Sequence, residues 1–225
     1  MKLKDLNSIT EALKENRVNK ILYSGEKTRR IQEILSMAKK QGVPVYRVPM
    51  KEKIIADVSP VKFSGFDEII NKAISSNSFI LFLDNVVDQR NIGACIRTAE
   101  FFGSAGAVIP KRKGGGIGEG ALRASAGAVF HIPIARVENI ASALKKLKKY
   151  GFMTLAADLD GEDLRNVSFT NPAAIVVGGE DKGVSQPVKK QCDAVVKILG
   201  SGKTSSLNLS VAAGILMYEL CRQKY

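Results

Sequence analysis

Five consecutive apolar residues, Phe79-Ile80-Leu81-Phe82-Leu83, lie between the polar stretch Ser75-Ser76-Asn77-Ser78 and Asp84. The run is too short for a helix and has no polar alternation to turn toward water. A strand of this kind needs both faces covered, as in a parallel sheet flanked by helices. Similar segments recur at residues 107–109, 153–156, 174–177 and 194–198. Helical periodicity occupies residues 92–102, 140–149 and 207–222. That alternation predicts an α/β fold with a mostly parallel sheet.

Upstream the pattern is smaller in scale. Residues 8–15 read as a short helix and 20–23 as a strand. Residues 27–40 form an amphipathic helix with Ile31, Ile34, Leu35 and Ala38 at helical spacing, ended by Gly42, and residues 43–48 return as a strand. Around residues 57–66 the pattern lapses at Pro60, Ser64 and Gly65, and a helix is expected at 66–74. The expected organisation is a small α/β unit over residues 1–57, a linker and lead-in helix over 58–78, and the larger α/β unit over 79–225.

Lys and Arg number 34 against 22 Asp and Glu, a net charge of +12, which favours a polyanionic partner. Trp is absent and aromatics make up only 6% of residues, which argues against an aromatic stacking platform. Cys95, Cys192 and Cys221 are dispersed and odd in number, and with His131 as the sole histidine they suggest neither a disulfide framework nor a metal site. His131 lies in the apolar stretch Val129-Phe130-His131-Ile132 and reads as structural rather than as a general base. Residues 1–16 lack a signal-peptide apolar region, and no run of 18 apolar residues exists to span a membrane. The chain is expected to be cytoplasmic.

Two glycine-rich stretches imitate nucleotide motifs. Leu199-Gly200-Ser201-Gly202-Lys203-Thr204-Ser205 resembles a P-loop, but the leading glycine is replaced by Lys197, and too little chain follows to complete such a sheet. Gly114-Gly115-Gly116-Ile117-Gly118-Glu119-Gly120 follows Lys111-Arg112-Lys113 and does not lead from a strand as a dinucleotide fingerprint would. It reads as a mobile basic loop whose bare backbone can approach phosphate. The Lys145-Lys146-Leu147-Lys148-Lys149 run reads as a solvated helix face.

Three polar segments remain. Asp88-Gln89-Arg90-Asn91-Ile92-Gly93-Ala94-Cys95-Ile96-Arg97 offers Asn91 as an N-cap, with Arg97 six residues on in the same helix. Ile175-Val176-Val177-Gly178-Gly179-Glu180-Asp181-Lys182-Gly183 is a buried strand ending in glycines and a carboxylate, as α/β folds deliver binding groups at a sheet's carboxyl edge. Ser206-Leu207-Asn208-Leu209-Ser210 opens a helix with apolar residues on two faces, one with Val211 and Ile215 and one with Leu209, Leu216 and Leu220. Each segment alone is compatible with capping or an ordinary turn; Ser206 or Asn208 is an N-cap candidate.

In this order and spacing, the three segments resemble the signature motifs of the SpoU RNA ribose methyltransferases. The resemblance extends over residues 79–225, including Ala124-Ser125-Ala126-Gly127-Ala128 and Arg136-Val137-Glu138-Asn139-Ile140. Residues 1–57 resemble, more loosely, the ribosomal-protein-like RNA-binding domain that precedes it in many members. Asp5 stands where that pattern has glycine, and the His-Gln-Gly stretch before Ile54-Ile55-Ala56 is missing.

The resemblance implies an α/β fold with a C-terminal trefoil knot, a homodimer, and S-adenosyl-L-methionine as cofactor. It assigns Gly178, Ile198 and Leu207 to the cofactor. Glu180, Ser206 and Asn208 fall on the polar side of the site, and Arg97 is the catalytic residue, positioned by Asn91. Arg97, Lys111, Arg112 and Lys113 would contact RNA. Large-subunit ribosomal RNA is the implied substrate, with transfer RNA the other class, and antibiotic-resistance members share the layout. A non-catalytic RNA-binding protein on the same scaffold is the rival reading; loss of Arg97, Glu180 or Asn208 would mark it, and all three are present.

Overall fold

The computed structural model describes residues 1–112 and 114–224. Its first sheet is built from β1 (Lys2–Leu3), β2 (Val18–Tyr23), β3 (Val45–Arg47) and β4 (Ile54–Val58), in the order β1-β4-β2-β3. β3 runs parallel to β2, whereas β4 runs antiparallel to both β1 and β2. Helices α1 (Leu6–Lys14) and α2 (Arg29–Lys40) bury Ile9, Ala12, Leu13, Ile31, Ile34 and Ala38. Asp5, the departure noted above, accepts a hydrogen bond from the Ser8 N–H at 2.8 Å and caps α1, a task its carboxylate performs better than glycine. The sequence reading missed β1 and β4; β1 is two residues long, too short for any periodicity.

The second sheet is six-stranded and parallel throughout, in the order β10-β8-β9-β5-β6-β7. Its strands are β5 (Phe79–Asp84), β6 (Gly106–Pro110), β7 (Ile134–Val137), β8 (Met153–Asp163), β9 (Ala173–Gly178) and β10 (Ala194–Lys197). Every residue of β5 and β9 is buried, which fits their uninterrupted apolar composition. One face carries α3 (Phe66–Ser75), α6 (Ile140–Lys148) and α7 (Gln186–Lys189), packed through Ile69, Ile70, Leu144, Leu147 and Val188. The other carries α4 (Gln89–Phe101), α5 (Glu119–Ala124) and α8 (Leu209–Lys224). The stretch expected to link the units is itself packed. Ser64 bridges to Ala135, Val61 and Phe63 rest on the core, and the Arg136 guanidinium lies 3.9 Å from the Phe63 ring centroid.

One apolar core runs continuously from the first sheet to the α4 and α8 side of the second. Ser8 Oγ donates to the Leu122 carbonyl at 3.3 Å, and the Lys2 N–H donates to Glu119 at 2.8 Å. His131 lies 3.1 Å from Glu11 and 3.5 Å from Glu15, so the lone histidine joins the two units and stands apart from the sheet's carboxyl edge. The lysine run of α6 is not wholly solvated. Leu147 is buried, Lys146 pairs with Asp67, and Lys148 pairs with Asp193 at 2.8 Å.

The end of α8 is tied to residues 167–169. Gln223 donates to the Val167 carbonyl and to Glu219, and its own oxygen accepts from the Phe169 N–H at 2.8 Å. Hydrogen bonds from Arg222 and Gln223 hold Glu219 down to about 2. A depressed carboxylate stabilises the fold fully above its ordinary value near 4.5 and loses that contribution as pH falls toward about 2. Glu219→Gln is therefore expected to flatten the acid side of the stability profile in that window, read as urea midpoints against pH. A wild-type slope in the variant would rule the linkage out.

Candidate functional site

The first segment's helix starts earlier than expected. Asp88, extended at φ −67° and ψ 115°, accepts from the Arg90 N–H at 2.8 Å and caps α4. Asn91 is thus a first-turn residue and not the N-cap, so its amide is free for tertiary bonds. Asn91 Nδ2 donates to Glu180 Oε1 at 2.8 Å. Asn208 Nδ2 donates to the same oxygen at 3.1 Å and lies 3.3 Å from Asn91 Oδ1. Asn208 Oδ1 accepts from the Ser210 N–H at 2.9 Å and its hydroxyl at 2.6 Å, so Asn208 caps α8 while its amide nitrogen serves the site. One carboxylate oxygen therefore gathers the three segments, while Glu180 Oε2 has no hydrogen-bond partner among the described residues.

Two expected members stay outside this cluster. Arg97 is exposed and its guanidinium carries no ion pair among the described residues. No hydrogen bond joins Asn91 to Arg97 among the described residues: six residues turn a helix about 600°, putting the two side chains on different faces about 9 Å apart along the axis. Ser206 is exposed ahead of α8 and takes no part in the bonds around Glu180.

The turn carrying Glu180 is close-packed. Gly179 N–H donates to the Asp84 carbonyl at 2.9 Å, and Gly183 N–H donates back to the Gly179 carbonyl at 2.8 Å. Asp84 Oδ2, on a residue only 7% exposed, accepts from the Ser185 N–H at 2.8 Å. An acid ending an otherwise apolar strand is the signal in the sequence that marks Asp84. Gly178 is buried beside Gly183 and Val184, and a Cβ there would lie well inside the 3.0 Å that real Cβ atoms respect. Its small size thus serves contact with its own turn.

Ile198 is partly buried, whereas Leu199 and Leu207 are 52% and 49% exposed at the two ends of the loop before α8. Leu207 immediately precedes Asn208, which bonds Glu180, and an exposed aliphatic side chain near a carboxylate suits a ligand with an apolar body and a positive charge. Sequence reasoning missed Leu199, which the P-loop comparison had absorbed.

The basic loop leans on the same edge. Gly115 N–H donates to the Val86 carbonyl at 2.8 Å, and Gly120 N–H donates to Gln89 at 3.2 Å. Gly115 abuts the Val87 carbonyl so tightly that a side chain is excluded, so this glycine is used by the chain's own backbone rather than left bare for phosphate. Lys111 pairs with exposed Glu138 at 2.6 Å, Arg112 is exposed, and Lys113 lies outside the described residues. Burial pushes the thiols of Cys95 and Cys192 up to about 12, too high for thiolate chemistry near neutral pH. Among the described residues no group of acids, histidines and cysteines could hold a metal ion, and no helix is long and apolar enough to cross a membrane.

Comparison with known proteins matches residues 78–218 to the SpoU rRNA Methylase family, and residues 6–57 to a family described as RNA 2'-O ribose methyltransferase substrate binding. The chain is 68% identical to an uncharacterized tRNA/rRNA methyltransferase of Archaeoglobus fulgidus over the full length of both. It is 37% identical to YacO of Bacillus subtilis, assigned to the TrmH family of tRNA/rRNA methyltransferases, across 97% of this chain and 94% of that one. The fold is shared with the SpoU methyltransferase AviRb from Streptomyces viridochromogenes, whose structure contains AdoMet. The TM-score is 0.83 at 23% identity, covering 100% of this chain and 90% of that one.

Proposed function

The chain belongs to the SpoU rRNA methylase family, and from that premise we propose that it methylates a ribose 2'-hydroxyl, in 23S ribosomal RNA, using S-adenosyl-L-methionine. It is an RNA methyltransferase of the SpoU/TrmH family. The observation that carries the finer reading is the convergence of Asn91 and Asn208 on the Glu180 carboxylate at the carboxyl edge of a parallel sheet.

The residues fit this cofactor: Ile198, Leu199 and Leu207 supply aliphatic surface for adenine, and Glu180 supplies negative charge for a cationic sulfonium. When bound, the cofactor supplies an electrophilic methyl group. A guanidinium stays protonated in proteins, so Arg97 acts by gripping a phosphate beside the target ribose and stabilising the developing alkoxide. Holding that oxygen in line with the methyl group contributes much of the acceleration. Lys111, Arg112 and Lys113 extend the phosphate-binding surface, in keeping with the net charge of +12.

Arg97 shares its face of α4 with Phe101, which is 79% exposed, and the neighbouring face of α8 exposes Val211 and Tyr218 at 50% and 56%. Such a stripe supports a homodimer that covers it and brings Arg97 against the second copy. The same family membership supports a knotted path for the segments around Gly178–Ser185 and the loop before α8.

Incubation with radiolabelled S-adenosyl-L-methionine and unmodified ribosomal or transfer RNA, followed by mapping of the labelled nucleotide, tests the proposal. Label on a 23S ribose is the expected result. Label confined to transfer RNA would replace the substrate, and label on a base would overturn ribose transfer. No incorporation despite measured cofactor binding would favour the non-catalytic RNA-binding reading.

A further inference from the structure

Pairing between β8 and β10 is interrupted. Val195 pairs with Ala156, but its neighbour Val196 pairs with Glu162, so the intervening residues of β8 bulge away from β10. Gly161 allows the bulge to close against the Val195–Val196 backbone. The bulge carries Asp158 against the Glu180 turn: a Cβ on Gly183 would lie 3.0 Å from Asp158 Oδ2, and the neighbouring Val184 N–H helps hold the Asp158 carboxyl down. Lys189, on the helix that follows the turn, ion-pairs with Asp158 at 2.7 Å, their side chains only 12% and 16% exposed. Exposed Asp160 joins at 3.1 Å. Burial opposes the charge on Asp158, but Lys189 and its other hydrogen bonds outweigh it and hold the carboxyl below the usual range. Burial likewise opposes the charge on Lys189, and the two aspartates hold its pKa above the ordinary value.

A buried ion pair adds little net stability, since desolvation offsets most of its attraction; what it supplies is a defined geometry. Asp84 already grips the turn from the β5 side through Ser185. We infer that the Asp158–Lys189 pair is the opposing clamp, positioning the Gly178–Ser185 turn and hence the Glu180 carboxylate for cofactor binding. Both residues act through the turn and are positioning residues. The inference rests on the proposed function for its cofactor, but its structural part stands without it.

The test compares wild type with Asp158→Asn, Lys189→Met, the double variant and Lys189→Arg. Three readouts are taken: S-adenosyl-L-methionine affinity by calorimetry, urea unfolding, and hydrogen exchange of the 179–185 amides without cofactor. Each charge-removing single variant should weaken binding by about 10–100-fold, the range for small misplacements of a working group. Exchange across 179–185 should quicken; each single variant strands its partner's shielded charge and should lower the urea midpoint, whereas the double variant leaves neither charge stranded and should recover much of that loss. The double variant should be no worse than either single, because both remove the same interaction. Lys189→Arg, which keeps the charge, should retain wild-type affinity. Wild-type affinity and exchange in both single variants, or additive losses in the double, would overturn the clamp. If wild type itself binds no cofactor, the proposed function fails, and the exchange data alone still decide whether the pair holds the turn.

Discussion

Arg97→Ala is expected to lower methyl transfer by at least ~100-fold, the loss typical when a donor that stabilises developing negative charge is removed. Cofactor affinity should be unchanged, because Arg97 takes no part in the Asn91–Glu180–Asn208 cluster and is exposed on another face of α4. Stability should be unchanged as well, since the guanidinium carries no ion pair among the described residues and its loss strands no buried partner. Arg97→Lys should fall between the two, keeping a charge near phosphate but losing the planar fork. Single-turnover rates with saturating RNA, beside calorimetric cofactor binding, separate these effects. Near-normal turnover in Arg97→Ala would remove the residue from the chemistry.

The second large effect is structural in origin. Gly178→Ala places a methyl group among the backbone atoms of Gly183 and Val184, which belong to a turn already bonded to the end of β5. No flexible side chain can yield there, so the backbone has to move. Overpacking of this kind costs about 1–3 kcal/mol in a well-packed interior, and more when main chain is displaced. The variant is expected to lose measurable cofactor binding and methyl transfer, with a clearly lower thermal midpoint. Gly200→Ala is the matched control: nothing lies within 4 Å of its would-be Cβ, and stability should be unaffected. Wild-type cofactor affinity in Gly178→Ala would show that the turn tolerates displacement.

The buried strands were legible because a continuous apolar run at β5 or β9 has few alternatives, and helices α2 and α6 were legible from their period. The short edge strands β1 and β7 were not, since two to four residues carry no period. At the site, residue types were readable but partnerships were not. Asn91 looked like a cap because Asn is a good one; Asp88 took that role because its backbone is extended and its carboxylate reaches the Arg90 N–H. Asp158 and Lys189 went unnoticed because their pairing depends on a bulge in β8, although two acids beside a glycine, at Asp158-Leu159-Asp160-Gly161, marked a break in an apolar strand.

By itself, the sequence determined the layered α/β class, the polyanion-seeking charge and the three polar segments, together with their resemblance to the SpoU methyltransferases. These depend on local periodicity and residue chemistry, which a chain carries before it folds. Only the tertiary structure decided that Glu180 gathers Asn91 and Asn208, and that the turn carrying Glu180 is bonded to the end of β5. Those outcomes depend on contacts between residues up to 117 positions apart, and packing of the sheet and its helices alone brings such residues within hydrogen-bond reach.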